Sequence, residues 1–219
     1  MSDQAESKPI NKPSNKWLLP IILSLMTLFT SGLLMLSNHL TADKIAAIKL
    51  ANKLASLQRL IPNELIDNDL LADAQMIYEP IKLGHRQEET LYLGKTNGRL
   101  TFMAIPVIAR DGYSGDIELL VGVKVGGDDG GQITTVEIIA HKETPGLGDL
   151  IEPEKSDWIQ QFPSKSLGSP PENQWKVKKD QGTFHQITAA TITPRAVVSA
   201  IKQALLYHRQ YLDDEVSES

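Results

Sequence analysis

The sequence predicts an α+β fold: one N-terminal transmembrane helix, followed by a domain with an antiparallel sheet and packed helices. Three observations predict it. Residues 17–36 hold no charged side chain, apolar and polar residues alternate with period two between Met76 and Ala140, and apolar residues return to helical spacing after Thr193. Strands and helices that follow one another in separate blocks are the pattern of α+β proteins rather than of βαβ repeats.

The first element is the apolar run from Trp17 to Leu36, about the ~20 residues that a bilayer core requires. Pro20 falls in its first turn, where a missing N–H does little harm, and Trp17 beside Lys16 suits a membrane interface. A cleaved signal peptide would need a shorter apolar core and a small-residue cleavage site, for which only Leu40-Thr41-Ala42 is on offer. Residues 1–16 are therefore expected as a cytoplasmic tail and 17–37 as the span. Lys8, Lys12 and Lys16 before it nearly balance Lys44, Lys49 and Lys53 after it, so orientation rests on length. A short tail stays inside while a long domain translocates largely regardless of charge. In a bacterium this gives a single-pass protein of the inner membrane with its domain in the periplasm.

Residues 38–75 are expected as a membrane-proximal helical segment, because Leu50, Leu54, Leu57 and Ile61 recur at helical spacing with Lys49, Lys53 and Arg59 between them, and Pro62 follows as a stop. The apolar stripe reads as a docking face. Residues 76–210 form the main domain. Its clearest strand has Ile117, Leu119, Val121, Val123 and Val125 alternating with Glu118, Gly122 and Lys124. Asn97-Gly98 fits a tight hairpin, Asp111-Gly112 opens a turn, and the glycine-rich run 126–131 joins two strands rather than opening a helix, so it reads as a turn and not a phosphate loop. In the long Pro- and Gly-rich stretch that follows, Trp158, Ile159 and Phe162 predict a short packed helix. The last helix is expected to start with Thr193 as its cap and Pro194 at its first position, and to run through Val197, Val198, Ile201 and Leu205. Residues 211–219 are expected as a frayed acidic tail.

Composition narrows the chemistry. There is no cysteine, which excludes iron–sulfur clusters, c-type haem attachment, thiolate zinc sites and disulfides. If the chain moves electrons, an organic cofactor must carry them. A net charge of -5 with no basic face gives no footprint for nucleic acid. His141 and Glu143 resemble metal ligands, but no third ligand stands at a suitable spacing, so a hydrogen-bonding role fits them better and no metal site is expected.

The segment Thr188-Ala189-Ala190-Thr191-Ile192-Thr193-Pro194 combines three hydroxyls, two small side chains and the start of a helix. A phosphate beside Thr191 would meet unpaired N–H groups and the positive end of the helix dipole. Read from these residues alone, a plain helix cap with a small-residue turn is the preferred account.

Three blocks in order change that balance: Asp111-Gly112-Tyr113-Ser114-Gly115, then His141-Lys142-Glu143-Thr144-Pro145-Gly146-Leu147-Gly148-Asp149, then Thr191-Ile192-Thr193-Pro194-Arg195-Ala196-Val197-Val198. With the anchor helix they resemble the FMN-binding domain family, and within it the G-subunit family of Rnf-type ion-translocating electron transport complexes. The resemblance implies FMN joined covalently through its phosphate to Thr191 by a dedicated flavin transferase, in a loop that includes Thr188, Ala189, Ala190 and Thr193. It implies that the loop of Gly146, Leu147 and Gly148 lies against the flavin ring, with Glu143 and Thr144 at the ring's polar edge and Leu147 on its face. No catalytic acid or nucleophile is implied. The partners implied are the membrane, iron–sulfur and flavin subunits of the complex, together with membrane lipid.

Two positions differ from the family's attachment pattern: Ala189 stands where glycine is usual and His185 where aspartate is. Two other readings stay beside the first. The C subunit of the sodium-translocating NADH:quinone reductase shares the flavin domain, although Lys142 and Asp149 around the Thr-Pro-Gly-Leu-Gly loop look more like the Rnf version. A cofactor-free periplasmic scaffold module is the other, raised by Ala189 and His185.

Overall fold

The computed structural model describes residues 17–60, 66–126 and 131–218, and the chain divides into two units, Met1–Ile48 and Lys49–Ser219. The first unit holds helix α1 (Leu18–Leu60) as far as Ile48. Its segment Leu18–Ala42 has a mean hydropathy of 2.1 and is long and apolar enough to cross a membrane. Large apolar side chains are exposed all along it, among them Leu19, Leu23, Phe29 and Met35. Its threonine hydroxyls turn inward: Thr27 donates to the Ser24 carbonyl, Thr30 to that of Met26 and Thr41 to that of Ser37, so these three groups ask nothing of the surrounding medium. Pro20 lies in the first turn, as expected. The helix runs on without a break to Leu60, so the apolar segment and the membrane-proximal segment are one element. The side chains of the proposed stripe Leu50, Leu54, Leu57 and Ile61, and the stop at Pro62, lie outside the described residues.

The second unit is built on a five-stranded antiparallel sheet, β1 (Gln75–Ile77), β2 (Glu89–Thr96), β3 (Arg99–Ala109), β4 (Ile117–Lys124) and β5 (Gln132–Ala140), each strand beside its neighbour in sequence. Local chemistry fixes the order. Asn97 and Gly98 both have positive φ, 51° and 75°, the requirement of a type I′ hairpin, and they join β2 to β3. At the β4–β5 connection Gly126 and Gly131 are also in the left-handed region, and residues 127–130 lie outside the described set.

Along β4 the alternation predicts one apolar and one polar face, but the strand is buried on both. Ile117, Leu119, Val121 and Val123 enter the main core, beneath α2 (Ile192–Glu218) and the segment 141–191. Leu120 faces the other way and joins Leu70, Tyr92, Phe102 and Ala104 in a second, smaller cluster. The chain before β1 covers that second face with Leu70, Ile66 and Ala74. A distant segment supplies this cover, so the strand's own pattern could not announce it.

The long stretch after β5 is ordered by short 3-10 turns at Gly148–Ile151, Asp157–Gln161, Glu172–Gln174 and Lys178–Asp180. The short helix expected at Trp158 is the second of these, capped where the Ser156 hydroxyl accepts the Trp158 N–H at 3.1 Å. What holds the stretch down is aromatic. Phe162 stacks on Phe184 with ring centres 4.9 Å apart, Trp175 meets Phe184 at 4.7 Å, and Trp158 meets Phe162 edge-on at 5.3 Å.

Helix α2 lies across β3 and β4 and departs from expectation at both ends. It begins at Ile192, and the Thr191 carbonyl accepts the Arg195 N–H, which makes Thr191 the cap and puts Pro194 at the third helical position instead of the first. At the other end it continues to Glu218 through the acidic residues expected to fray. No Gly or Pro interrupts residues 211–218, and Ser217 donates back to the Asp214 carbonyl.

Candidate functional site

Three segments meet at the N-terminus of α2 and enclose a cavity of about 360 Å³. The β3–β4 connection contributes Tyr113, the chain after β5 contributes Glu143, Thr144, Leu147 and Gly148, and the third wall is residues 189–193. Of the residues that sequence reasoning marked, all but Thr188 and Gly146 line it. Thr188 is exposed on the turn beside it, and Gly146 is exposed in the loop behind Leu147.

The third wall starts with a tight turn. Ile187 and Ala190 form an isolated bridge, the Ala190 N–H donates to the Ile187 carbonyl at 3.2 Å, and Ala189 has φ of 66°. A positive φ at the third residue of a four-residue turn is the mark of type II, which favours glycine there. The family's glycine thus has a physical reason, and Ala189 occupies the position at a cost of about 1 kcal/mol. Ala189→Gly should therefore raise stability by up to ~1 kcal/mol, less what added freedom in the unfolded chain takes back. Urea unfolding of the two proteins checks this; a destabilised Gly variant would contradict the strain.

From Ala190 the chain enters α2 with Thr191 as cap. The N–H groups of Ile192 and Thr193 have no intrahelical acceptor and Pro194 has no N–H, so the positive end of a 27-residue helix opens at the cavity wall. Among the described residues the Thr191 hydroxyl makes no hydrogen bond. Arg195 grips Asp180 with both ends of its guanidinium, which fastens the first turn of the helix to the 3-10 turn Lys178–Asp180.

Glu143 is the residue on which the three segments converge. It is buried, its Oε1 accepts the Ser114 N–H at 2.9 Å and its Oε2 accepts the Thr193 hydroxyl. One carboxylate thus ties the β3–β4 connection and the start of α2 to the loop after β5. Sequence reasoning placed Glu143 at the polar edge of a bound ring; in the structure it lines the cavity and each of its oxygens accepts one protein donor. Thr193, read there as the helix cap, is the donor to Glu143.

Behind the loop runs a chain of polar contacts. His141 accepts the Glu143 N–H on Nδ1 at 3.0 Å, so its proton sits on Nε2, which donates to Glu152 at 2.7 Å. The Thr144 carbonyl accepts the N–H groups of Leu147 and Gly148 and closes the turn, in which Gly146 takes φ of 76°. Asp149 is buried and pairs with Lys155 at 2.8 Å. The Lys155 hydrogen bond, helped by the Gly146 backbone, holds the Asp149 carboxyl below its ordinary range against the effect of burial. A carboxyl lowered on folding stabilises the native state above its unfolded pKa of about 3.9 and loses that contribution as pH falls further. Lys155→Met should lower stability at neutral pH and flatten the decline below pH ~4. Thermal melts between pH 3 and 7 check it, and an unchanged acid slope would contradict it.

His185 lies outside the cavity. It is exposed, its Nε2 faces the Lys178 ammonium at 2.7 Å, its N–H donates to the Gln161 side chain and its carbonyl accepts the Trp158 indole. It therefore anchors the strand that enters the turn. Sequence reasoning did not single out Tyr113 and Ile192, which line the cavity with exposed side chains, 68% and 45%. Tyr113 stands inside the first of the quoted blocks, so the signal for it was present. Ile192 stands inside the third of those blocks, between two threonines, and carried the same signal.

The arrangement offers a slot lined by hydroxyls, a helix terminus and apolar side chains. The family model described as FMN-binding domain matches residues 112–206. The chain is similar to the G subunit of the ion-translocating oxidoreductase complex of Shewanella baltica (strain OS223), 42% identical over 186 residues that cover 85% of this chain and 86% of that one. The protein of the same description from Vibrio atlanticus (strain LGP32) is 40% identical over 190 residues, 87% of this chain and 88% of that one. Among solved structures, NqrC of Shewanella oneidensis covers 68% of this chain and 75% of its own at 18% identity and a TM-score of 0.42, too distant to argue from.

Proposed function

The chain belongs to the G-subunit family of ion-translocating oxidoreductase complexes, and on that premise we propose that it is a membrane-anchored electron-transfer protein carrying FMN on a phosphoester to Thr191. The observation that carries this reading is the Thr191 hydroxyl, which has no partner among the described residues and stands in the cavity wall at the cap of α2. A phosphate there is met by the N–H groups of Ile192 and Thr193 and by the helix dipole.

The residues present fit the group. FMN, once bound, supplies one- and two-electron chemistry, and the protein supplies position and electrostatics. Thr191 holds the phosphate end. Ala189 and Ala190 leave space beside it, Leu147, Tyr113 and Ile192 offer apolar surface to the ring, and Thr144 offers a hydroxyl to its polar edge. Covalent attachment prevents loss of the cofactor to a dilute outer compartment, and the anchor helix keeps the site at high effective concentration beside its redox neighbours.

In this reading the N-terminal tail is cytoplasmic, Leu18–Ala42 crosses the inner membrane and the flavin domain is periplasmic. The partners are the other membrane and iron–sulfur or flavin subunits of the complex, with a flavin transferase acting once in maturation. The test is to express the full chain with and without a flavin transferase and run membranes on a denaturing gel. Flavin fluorescence should travel with the chain only when the transferase is present. A colourless band under both conditions would contradict the proposal and favour a cofactor-free scaffold.

A further inference from the structure

We propose that Glu143 is a positioning residue whose buried charge also holds down the reduction potential of the site, an inference that rests on the flavin reading above. Its side chain lines the cavity and is 5% exposed. Both oxygens accept hydrogen bonds, as an ionised carboxylate does, and both donors are neutral: the Ser114 N–H and the Thr193 hydroxyl. No described cation pairs with it. Lys155 pairs with Asp149 and Glu152, Arg195 with Asp180, and Arg86 with Asp116.

The backbone fixes the carboxylate from two sides. A Cβ on Gly148 would stand 2.6 Å from Oε2, and one on Gly112 would stand 2.9 Å from Oε1. The backbone at both glycines thus lies close against the carboxylate, which the Ser114 N–H and the Thr193 hydroxyl hold in place. A fixed, water-excluded charge with no counter-ion exerts its field at close to full strength on whatever fills the space beside it.

Reduction of a flavin there takes two electrons from an external reductant and one proton from solvent, and leaves the ring one unit more negative while the reductant is oxidised by two electrons. Glu143 opposes that added charge. Glu143→Gln should raise the midpoint potential, increasing the ratio of reduced to oxidised flavin at a given applied potential by about tenfold or more for a unit charge acting at an effective dielectric of ~20. Thr193→Val removes one of the two donors, leaves the charge less shielded and should shift the potential the opposite way. A residue that only held the loop would not give shifts of opposite sign.

The experiment is a potentiometric titration with dithionite and redox mediators, followed by absorbance, of the flavin-loaded full chain in detergent at pH 8. Wild type is first checked for its flavin; a wild-type chain without flavin overturns the function proposed above. With wild type loaded, an unchanged or lower potential in Glu143→Gln overturns the charge proposal. If that variant does not accumulate, Thr193→Val decides: a lower potential supports the proposal, and an unchanged or higher one overturns it.

Discussion

Thr191→Ala should yield a folded chain from which every trace of flavin is removed by denaturation. The loss is expected to be complete because a phosphoester requires a hydroxyl, and neither neighbour is placed to substitute. The Thr193 hydroxyl is committed to Glu143, and Thr188 lies outside the cavity. Removing an N-cap hydroxyl usually costs about 0.5–2 kcal/mol, but the Thr191 side chain makes no capping bond among the described residues, so the cost here should fall at the low end. Intact-mass measurement and a thermal melt on the same sample separate the two effects. A variant that kept its flavin would move the attachment elsewhere, and one that failed to fold would show that the hydroxyl serves the helix.

The largest loss of stability is expected from Phe184→Ala. Phe184 is fully buried between Phe162 and Trp175, and its backbone bonds to Lys176 and Lys178 at the entry to the 3-10 turn that Arg195 grips. Truncating a buried phenylalanine costs about 3–5 kcal/mol, a large part of the roughly 5–15 kcal/mol that holds a domain together. Ile187, where the attachment turn begins, follows three residues later, so flavin loading should fall with stability. Denaturant unfolding and the flavin-to-protein absorbance ratio measure both. A loss below ~1 kcal/mol would show that the aromatic cluster does not support the turn.

The sequence made the element types legible because each rests on local chemistry: an uncharged apolar run for α1, Asn97-Gly98 for the hairpin, Val197, Val198, Ile201 and Leu205 for α2. The cavity was largely legible too, through the quoted blocks. What stayed hidden depends on partners distant in sequence. Burial of Leu120 needs Leu70 to cover it, and the donors to Glu143, Ser114 and Thr193, the latter fifty positions on, are not signalled by its own segment. The start of α2 was misplaced because Thr193-Pro194 makes a plausible cap by itself, and only the use of the Thr193 hydroxyl by Glu143 leaves the cap to Thr191. Ala189 shows the reverse case. The departure from the family's glycine was visible in the sequence, but its left-handed backbone was not.

Attachment at Thr191 is the claim on which the rest depends, and one peptide decides it. Trypsin releases residues 180–195 as a single fragment containing Thr183, Thr188, Thr191 and Thr193. Fragmentation of that peptide from chain made with a flavin transferase should place the whole FMN phosphoryl mass on Thr191. An unmodified peptide, or the adduct on any of the other three threonines, would contradict the account.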